Sequence, residues 1–260
     1  MIETISSPPQ IPALHPLAEV VQSTVPGRLT LAVPTLREAG NLREFLARAS
    51  AALSAASIDA EIIVVDDNSC DGTEEIVGEV ARQDPRVRLL VRKGERGLSG
   101  AVLHGWNHGS GDILGVMDAD LQHPPEFLPK LWQAMALDCD LALASRYAAD
   151  GSLGSWSGSR PMFSRLAILA ARPIQRRGIR VTDPMTGFFM VRRRCLDGIA
   201  LQKEGFKLLL EILVRADIRS VREVPFTFGE RRAGSSKVGM KVGLQYARLL
   251  YRLWRSRRPG

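Results

Sequence analysis

Residues 61–73 read Glu-Ile-Ile-Val-Val-Asp-Asp-Asn-Ser-Cys-Asp-Gly-Thr. Ile62 to Val65 are four branched apolar residues in a row, with no polar face between them. Such a run is a strand covered on both sides. Two carboxylates end it at once, and Asp71-Gly72-Thr73 then reads as a helix start, with Asp71 as its cap. The stretch is therefore one unit of an α/β sheet with polar chemistry at its carboxyl end.

Working outward, the same unit recurs. Leu29 to Val33, ended by Pro34, precedes a helical pattern from Asn41 with Leu42, Phe45, Leu46, Ala49 and Leu53 at three- and four-residue spacing. A helix is predicted from Thr73 to Arg82. Val87 to Val91 precedes a glycine-rich turn and a helix through Trp106. Ile113 to Met117 precedes a helix from Pro125 to Met135, and Leu141 to Ala144 is the fifth run. Short buried runs alternating with helices predict a doubly wound α/β fold on a parallel sheet. Such sheets bind ligands beyond the carboxyl ends of their strands.

Composition agrees. The chain has 260 residues, 45 % hydrophobic and 24 % charged, which excludes disordered, collagenous and disulfide-stapled classes. Cys70, Cys139 and Cys195 lie far apart and point to a reducing compartment. The net charge of +7 is unevenly placed: residues 1–130 carry −7 and residues 131–260 carry +14. An acidic half and a basic half imply a divalent cation in one place and an anionic partner in another. No stretch reaches the ~18 apolar residues that span a bilayer. The start of the chain lacks a basic-then-apolar leader. These features place the protein in the cytoplasm, bound at most to a membrane surface. Residues 1–27, with Pro8, Pro9, Pro12, Pro16 and Pro26, are expected to be a flexible tail. Residues 238–260 are expected to be a basic amphipathic helix. There Lys241, Arg248, Arg252 and Arg255 share one stripe, and Val242, Tyr246, Leu249, Leu250 and Leu253 share another face. A second amphipathic segment runs from Pro161 to Ile174.

The fourth run ends in Asp118-Ala-Asp-Leu-Gln122. In an extended segment Asp118 and Asp120 face one site, and so do Asp120 and Gln122. Hard oxygen ligands on an open strand end suit Mg²⁺ or Mn²⁺ shared with a substrate diphosphate. Gly94, Gly97 and Gly100 follow G-x-x-G-x-x-G, not the dinucleotide fingerprint, and no Walker-type G-K-[ST] occurs. These glycines are expected to form a tight turn near the ligand. His104 and His108 could share a helix face but lack a third ligand at zinc spacing. Arg146 directly follows the fifth run. Arg231 and Lys237 lie in a basic loop, and Arg160 and Ser164 are one helical turn apart. Each would suit a phosphate.

In order along the chain come EIIVVDDNSCDGT, GLSGAVLHGW from Gly97, GDILGVMDADLQHPPE from Gly111, and ASRY from Ala144. They are followed by DPMTGFFMVRR from Asp183, EGFKLLLEILVRA from Glu204 and EVPFTFGERRAGSSK from Glu223. This text resembles the dolichyl-phosphate (polyprenyl-phosphate) mannose synthases of glycosyltransferase family 2. The resemblance implies a GT-A fold over residues 28–237, and an inverting, metal-dependent transfer of mannose from GDP-mannose to a polyprenyl phosphate. It implies that Pro34, Leu36, Glu38, Val65 and Asp67 line the nucleotide pocket, and that Asp118, Ala119 and Asp120 meet the nucleotide sugar. Asp120 and Gln122 would hold Mg²⁺ or Mn²⁺, and Arg146 would lie between donor and acceptor phosphates. Arg231 and Lys237 would close over the diphosphate, and Arg160 and Ser164 would bind the acceptor phosphate. The C-terminal amphipathic helices would meet an anionic membrane surface on its cytoplasmic face. Many bacterial members carry transmembrane helices that this sequence lacks, which points to surface attachment or a separate small membrane-anchor subunit. The family usually has Tyr-Asn where this chain has Leu36-Arg37. A polyprenyl-phosphate glucosyltransferase using UDP-glucose is the alternative enzyme. A non-catalytic basic module for membrane or nucleic acid is disfavoured, because it has no use for Asp118 and Asp120.

Overall fold

The structure, a computed structural model, describes residues 27–136, 139–148, 160–176, 178–205, 207–226 and 240–256; at 160–164, 240–242 and 244 it describes the backbone alone. The expected tail thus lies outside the described residues except for Gly27. The five predicted strands are β1 (Leu29–Thr35), β2 (Ala60–Asp66), β3 (Val87–Val91), β4 (Ile113–Val116) and β5 (Leu141–Ser145). Between them run α1 (Ala39–Ala55), α2 (Thr73–Gln83), α3 (Leu98–His108) and α4 (Leu128–Met135), the last entered through a 3-10 turn at Pro125–Phe127. Within the first four strands, β1 pairs in parallel with β2 and β4, and β2 with β3.

The expectation of a wholly parallel sheet fails at β6 (Phe189–Arg192). This strand enters between β4 and β5 and runs antiparallel to both. A short run buried on both faces has the same apolar signature in either direction, so its polarity is set by the connection and not by the pattern. Neither β6 nor β7 (Val221–Pro225) was predicted. β7 pairs in parallel with β5 and completes the order β3-β2-β1-β4-β6-β5-β7. It is an only partly buried edge strand with Arg222 and Glu223 in its middle, hence its weak signal.

Side chains alternate along β1 as a two-residue period requires. Leu31 and Val33 join Phe45, Leu46, Leu131 and Met135 of α1 and α4 on one face. Ala32 joins Val102 and Trp106 of α3 on the other, with Leu209 and Ile212 of α6 (Leu208–Arg215). A third cluster joins α6 to α5 (Arg160–Ala171) and α7 (Met240–Arg255) through Ile168, Leu210, Val214, Leu249 and Leu253. The Tyr246 hydroxyl of α7 donates to the Ala167 carbonyl at 2.7 Å. The apolar face of the last helix therefore packs, at Leu249 and Leu253, on the domain. Leu166 and Leu169 of α5 and Tyr251 and Trp254 of α7 remain more than half exposed, at 52–60 %. Among the described residues no helix is long and apolar enough to cross a membrane, and all three cysteines are free.

Candidate active site

The carboxyl ends of β1, β2 and β4 surround an open cleft of about 280 Å³. Pro34, Leu36 and Glu38 enter it from the end of β1, Asp67 from β2, and Asp118, Ala119 and Asp120 from β4. Seven of the predicted site residues are thus gathered in one place. Val65 is not at the wall: its side chain is fully buried with Ile63 and Ala101, beneath the cleft. Gln122 and Arg146 do not line it either. Arg231 and Lys237 lie outside the described residues, and so do the side chains of Arg160 and Ser164.

The local structure explains these positions. β4 ends at Val116, and Ala119 and Asp120 lie in a turn, so the period-two argument for a common direction of Asp118 and Asp120 does not apply. Leu121 has φ 60, a left-handed conformation that costs an L-residue about 1–2 kcal/mol. It bends the chain so that the Gln122 N–H reaches Asp120 Oδ1 at 3.1 Å. Asp120 is buried, and Asp118 is half-buried. On the other side of Asp118 stands Gly187, where a Cβ would come within 2.8 Å of Asp118 Oδ2.

Gly187 belongs to the Asp183–Phe189 segment, whose text carried the resemblance without any residue role. That segment supplies a second wall. Arg146 Nε and Nη2 donate to the two Asp183 oxygens at 2.7 and 2.8 Å, and the Arg146 N–H adds a third bond at 3.2 Å. Asp183 is fully buried and Arg146 nearly so. Burial works to lower the Arg146 pKa, but the hydrogen bonds and charge of Asp183 hold it above its usual value. Lys207, at the entry to α6, donates to the Met185 carbonyl at 3.5 Å. Burial and then Arg146 depress its pKa, while Asp118 and Asp183 oppose them. His123 packs edge-on to Phe188 and at a tilt against Phe226, and burial, helped by Arg146, pushes its pKa down to about 3. Sequence reasoning assigned no role to Asp183, Gly187, Lys207 or His123.

The turns around the cleft are held by short polar side chains. Asp66 accepts from the Ser69 N–H at 2.7 Å and from the Thr35 hydroxyl at 3.1 Å. Asp71 accepts from the Thr73 hydroxyl at 2.7 Å and from the Thr73 and Ala39 N–H groups, both at 3.2 Å. The cap position expected of it is instead held by Gly72, with φ 95 and no side-chain cap bond, and Asp71 meets the first turn of α2 from one residue further out. Gly94 and Gly97 have φ 79 and 134, and Gly97 lines the cleft, as expected of a tight turn near the ligand. The His104 and His108 rings stack at 4.3 Å, and His108 Nδ1 lies 2.8 Å from the His104 carbonyl.

Arg37 has φ 62 and is exposed, a conformation in which Asn is enriched. This is where the family usually has Asn. Arg37→Asn is expected to raise stability by about 0.5–1 kcal/mol, read as a higher unfolding midpoint; a lower midpoint would refute the strain at this position.

The family model described as glycosyl transferase family 2 matches residues 30–199. The dolichol-phosphate mannosyltransferase of Saccharomyces cerevisiae is 39 % identical over 232 residues, covering 85 % of each chain. That of Pyrococcus furiosus is 41 % identical over 226 residues, covering 87 % of this chain, which spans 63 % of that protein's length. Among solved structures, glucosyl-3-phosphoglycerate synthase from Mycobacterium tuberculosis, in complex with Mn²⁺, UDP and glucosyl-3-phosphoglycerate, superposes with TM-score 0.65 at 19 % identity. The match covers 94 % of this chain and 86 % of that one. The chain belongs to glycosyltransferase family 2, among the dolichol-phosphate mannosyltransferases, with the GT-A fold.

Proposed function

We propose that this glycosyltransferase moves mannose, with inversion, from GDP-mannose to a polyprenyl phosphate, giving polyprenyl-phosphate mannose and GDP. The observation that carries the reading is the single cleft in which Asp118 and Asp120 meet Pro34, Leu36, Glu38 and Asp67. The relatives' names support the acceptor and the sugar.

An acceptor phosphate monoester is ionised near neutral pH. Its oxygen attacks the anomeric carbon as the bond to the β-phosphate breaks, and the bonding pair leaves with GDP. No side chain need remove a proton. The demand is electrostatic: two anions must approach, and a diphosphate must leave. Asp118 and Asp120 are hard oxygen donors on one cleft, and they fit Mg²⁺ or Mn²⁺, which bind through one or two carboxylates plus substrate phosphates. Among the described residues no group of three or more His, Cys, Asp or Glu side chains is close enough to hold an ion by itself. When bound, the ion would neutralise charge on the leaving diphosphate. Asp120 is assigned as its ligand beside Asp118; Gln122, the second ligand that the resemblance implies, does not line the cleft. Arg146, kept charged by Asp183, is assigned to the phosphates. Arg231 and Lys237 are assigned to the diphosphate, and Arg160 and Ser164 to the acceptor phosphate. Purified protein with a short polyprenyl phosphate, one metal, and GDP-mannose or UDP-glucose at equal concentration tests this. GDP-mannose should react at least about tenfold faster, since polar groups left unpaired by a wrong donor discriminate by that much or more. Faster turnover of UDP-glucose replaces the reading.

A lipid acceptor calls for contact with a membrane surface, which we assign to the cytoplasmic face. Tyr251 and Trp254 support this, since they stay exposed on the helix that carries exposed Arg248, Arg252 and Arg255, and Leu166 and Leu169 stay exposed on α5. Anionic vesicles should bind at low salt and be released as salt rises, at about 1 kcal/mol per basic residue near the surface. Tyr251→Ala with Trp254→Ala should weaken binding. Absence of flotation at low salt would remove the membrane contact.

A further inference from the structure

Asp67 lines the donor cleft, yet most of its accepting capacity is already engaged. Arg92 Nε and Nη2 both donate to Oδ1, at 2.8 and 2.5 Å, and the Gly97 N–H donates to Oδ2 at 2.8 Å. A carboxylate oxygen accepts about two hydrogen bonds. Oδ1 is therefore full, and Oδ2 has one position left.

The carboxylate cannot turn to offer more. Asp67 and Arg92 are neighbours across the β2–β3 ladder, one step beyond the Asp66–Val91 pair, and the Arg92 N–H donates to the Asp66 carbonyl at 2.8 Å. The two side chains are only 5 and 4 % exposed. Arg92 also donates to the Gly97 carbonyl at 3.0 Å and to Glu95 at 3.2 Å. A Cβ on Gly100 would come within 2.6 Å of its Nη1. The guanidinium is held on several sides and in turn holds both the carboxylate and the glycine turn.

We propose that Arg92 is a positioning residue for the donor nucleotide: it fixes Asp67 so that one acceptor position faces the cleft and receives one ring N–H of the base. This rests on the reading of the cleft as a nucleoside diphosphate-sugar site. Guanine N1–H would be met while its 2-amino group is left to other contacts. Uracil N3–H would be met equally, so Asp67 does not choose between these two bases.

Binding of GDP, IDP (which lacks the 2-amino group), N1-methyl-GDP and base-free ribose 5-diphosphate is measured with Mn²⁺ present. GDP and IDP should agree within about threefold, and N1-methyl-GDP should bind at least about tenfold more weakly, the loss expected for one hydrogen bond to a buried charged group. A loss of about tenfold or more from GDP to IDP overturns the single-acceptor geometry. Arg92→Gln should weaken GDP at least about tenfold but leave ribose 5-diphosphate within about twofold, and Asp67→Asn should add little in that background. Equal losses for both ligands would make Arg92 merely structural and overturn the inference. Arg92→Lys, which keeps charge but loses the paired donors, should fall between, and it serves if the Gln variant does not fold. If UDP binds instead of GDP, the proposed donor fails, and UDP against N3-methyl-UDP decides the Arg92 inference alone. If neither nucleotide binds, both fall.

Discussion

Asn in place of Asp120 is expected to lower sugar transfer at least about hundredfold while the protein stays folded, because losing charge stabilisation of a leaving diphosphate costs several kcal/mol of barrier. The fold should survive for a local reason. Asp120 Oδ1 accepts the Gln122 N–H, and an Asn oxygen at the same atom can accept it too. The strained Leu121 turn therefore keeps its closing bond. What changes is the charge offered to a divalent ion. Turnover against Mn²⁺ concentration, beside a thermal unfolding curve, checks both halves of the expectation. Near-normal turnover at ordinary metal concentration would remove Asp120 from the metal site.

Asp183→Asn is expected to destabilise the protein by about 3–5 kcal/mol, the usual cost of removing one partner from a buried ion pair. Asp183 is fully buried and meets Arg146 through three hydrogen bonds. Without its carboxylate the interior guanidinium loses a fully buried counter-charge. The same change should abolish most activity, since Arg146 loses the orientation that its proposed phosphate role requires. Arg146→Met with Asp183→Leu separates the two effects. An apolar pair of similar volume can match or exceed a buried ion pair in stability, so the double variant should regain its denaturant midpoint and remain inactive. Recovery of activity with stability would mean that Arg146 serves the fold alone.

These two positions show what could be read before the structure. Asp120 was legible because a buried branched run followed at once by carboxylates is anomalous on its own terms. Arg146 was noticed as a cation after a strand, but Asp183 was not recognised as its partner. Nothing in a single chain marks which carboxylate meets which guanidinium. The same holds for Arg92 and Asp67, paired across two strands, and for Gly187, which leaves room for Asp118. The last helix shows the limit from the other side. Its pattern declared an apolar face, and that face met the domain at Leu249 and Leu253, whereas the pattern alone was equally compatible with a lipid surface.

Besides the family, given by the resemblance of its motifs, the sequence by itself determined four strand–helix units and a fifth strand, their parallel start, and the carboxyl-end location of the chemistry. These follow from local periodicity and capping, which act over a few residues and are written in consecutive positions. Only the tertiary structure decided the reversed direction of β6, the Arg146–Asp183 and Asp67–Arg92 pairs, the turn at Leu121 that follows Asp120, and the side on which α7 buries its apolar stripe. Periodicity records that a side chain is buried and on which face. The identity of its partner depends on how distant segments cross, and that is set by packing of the whole chain.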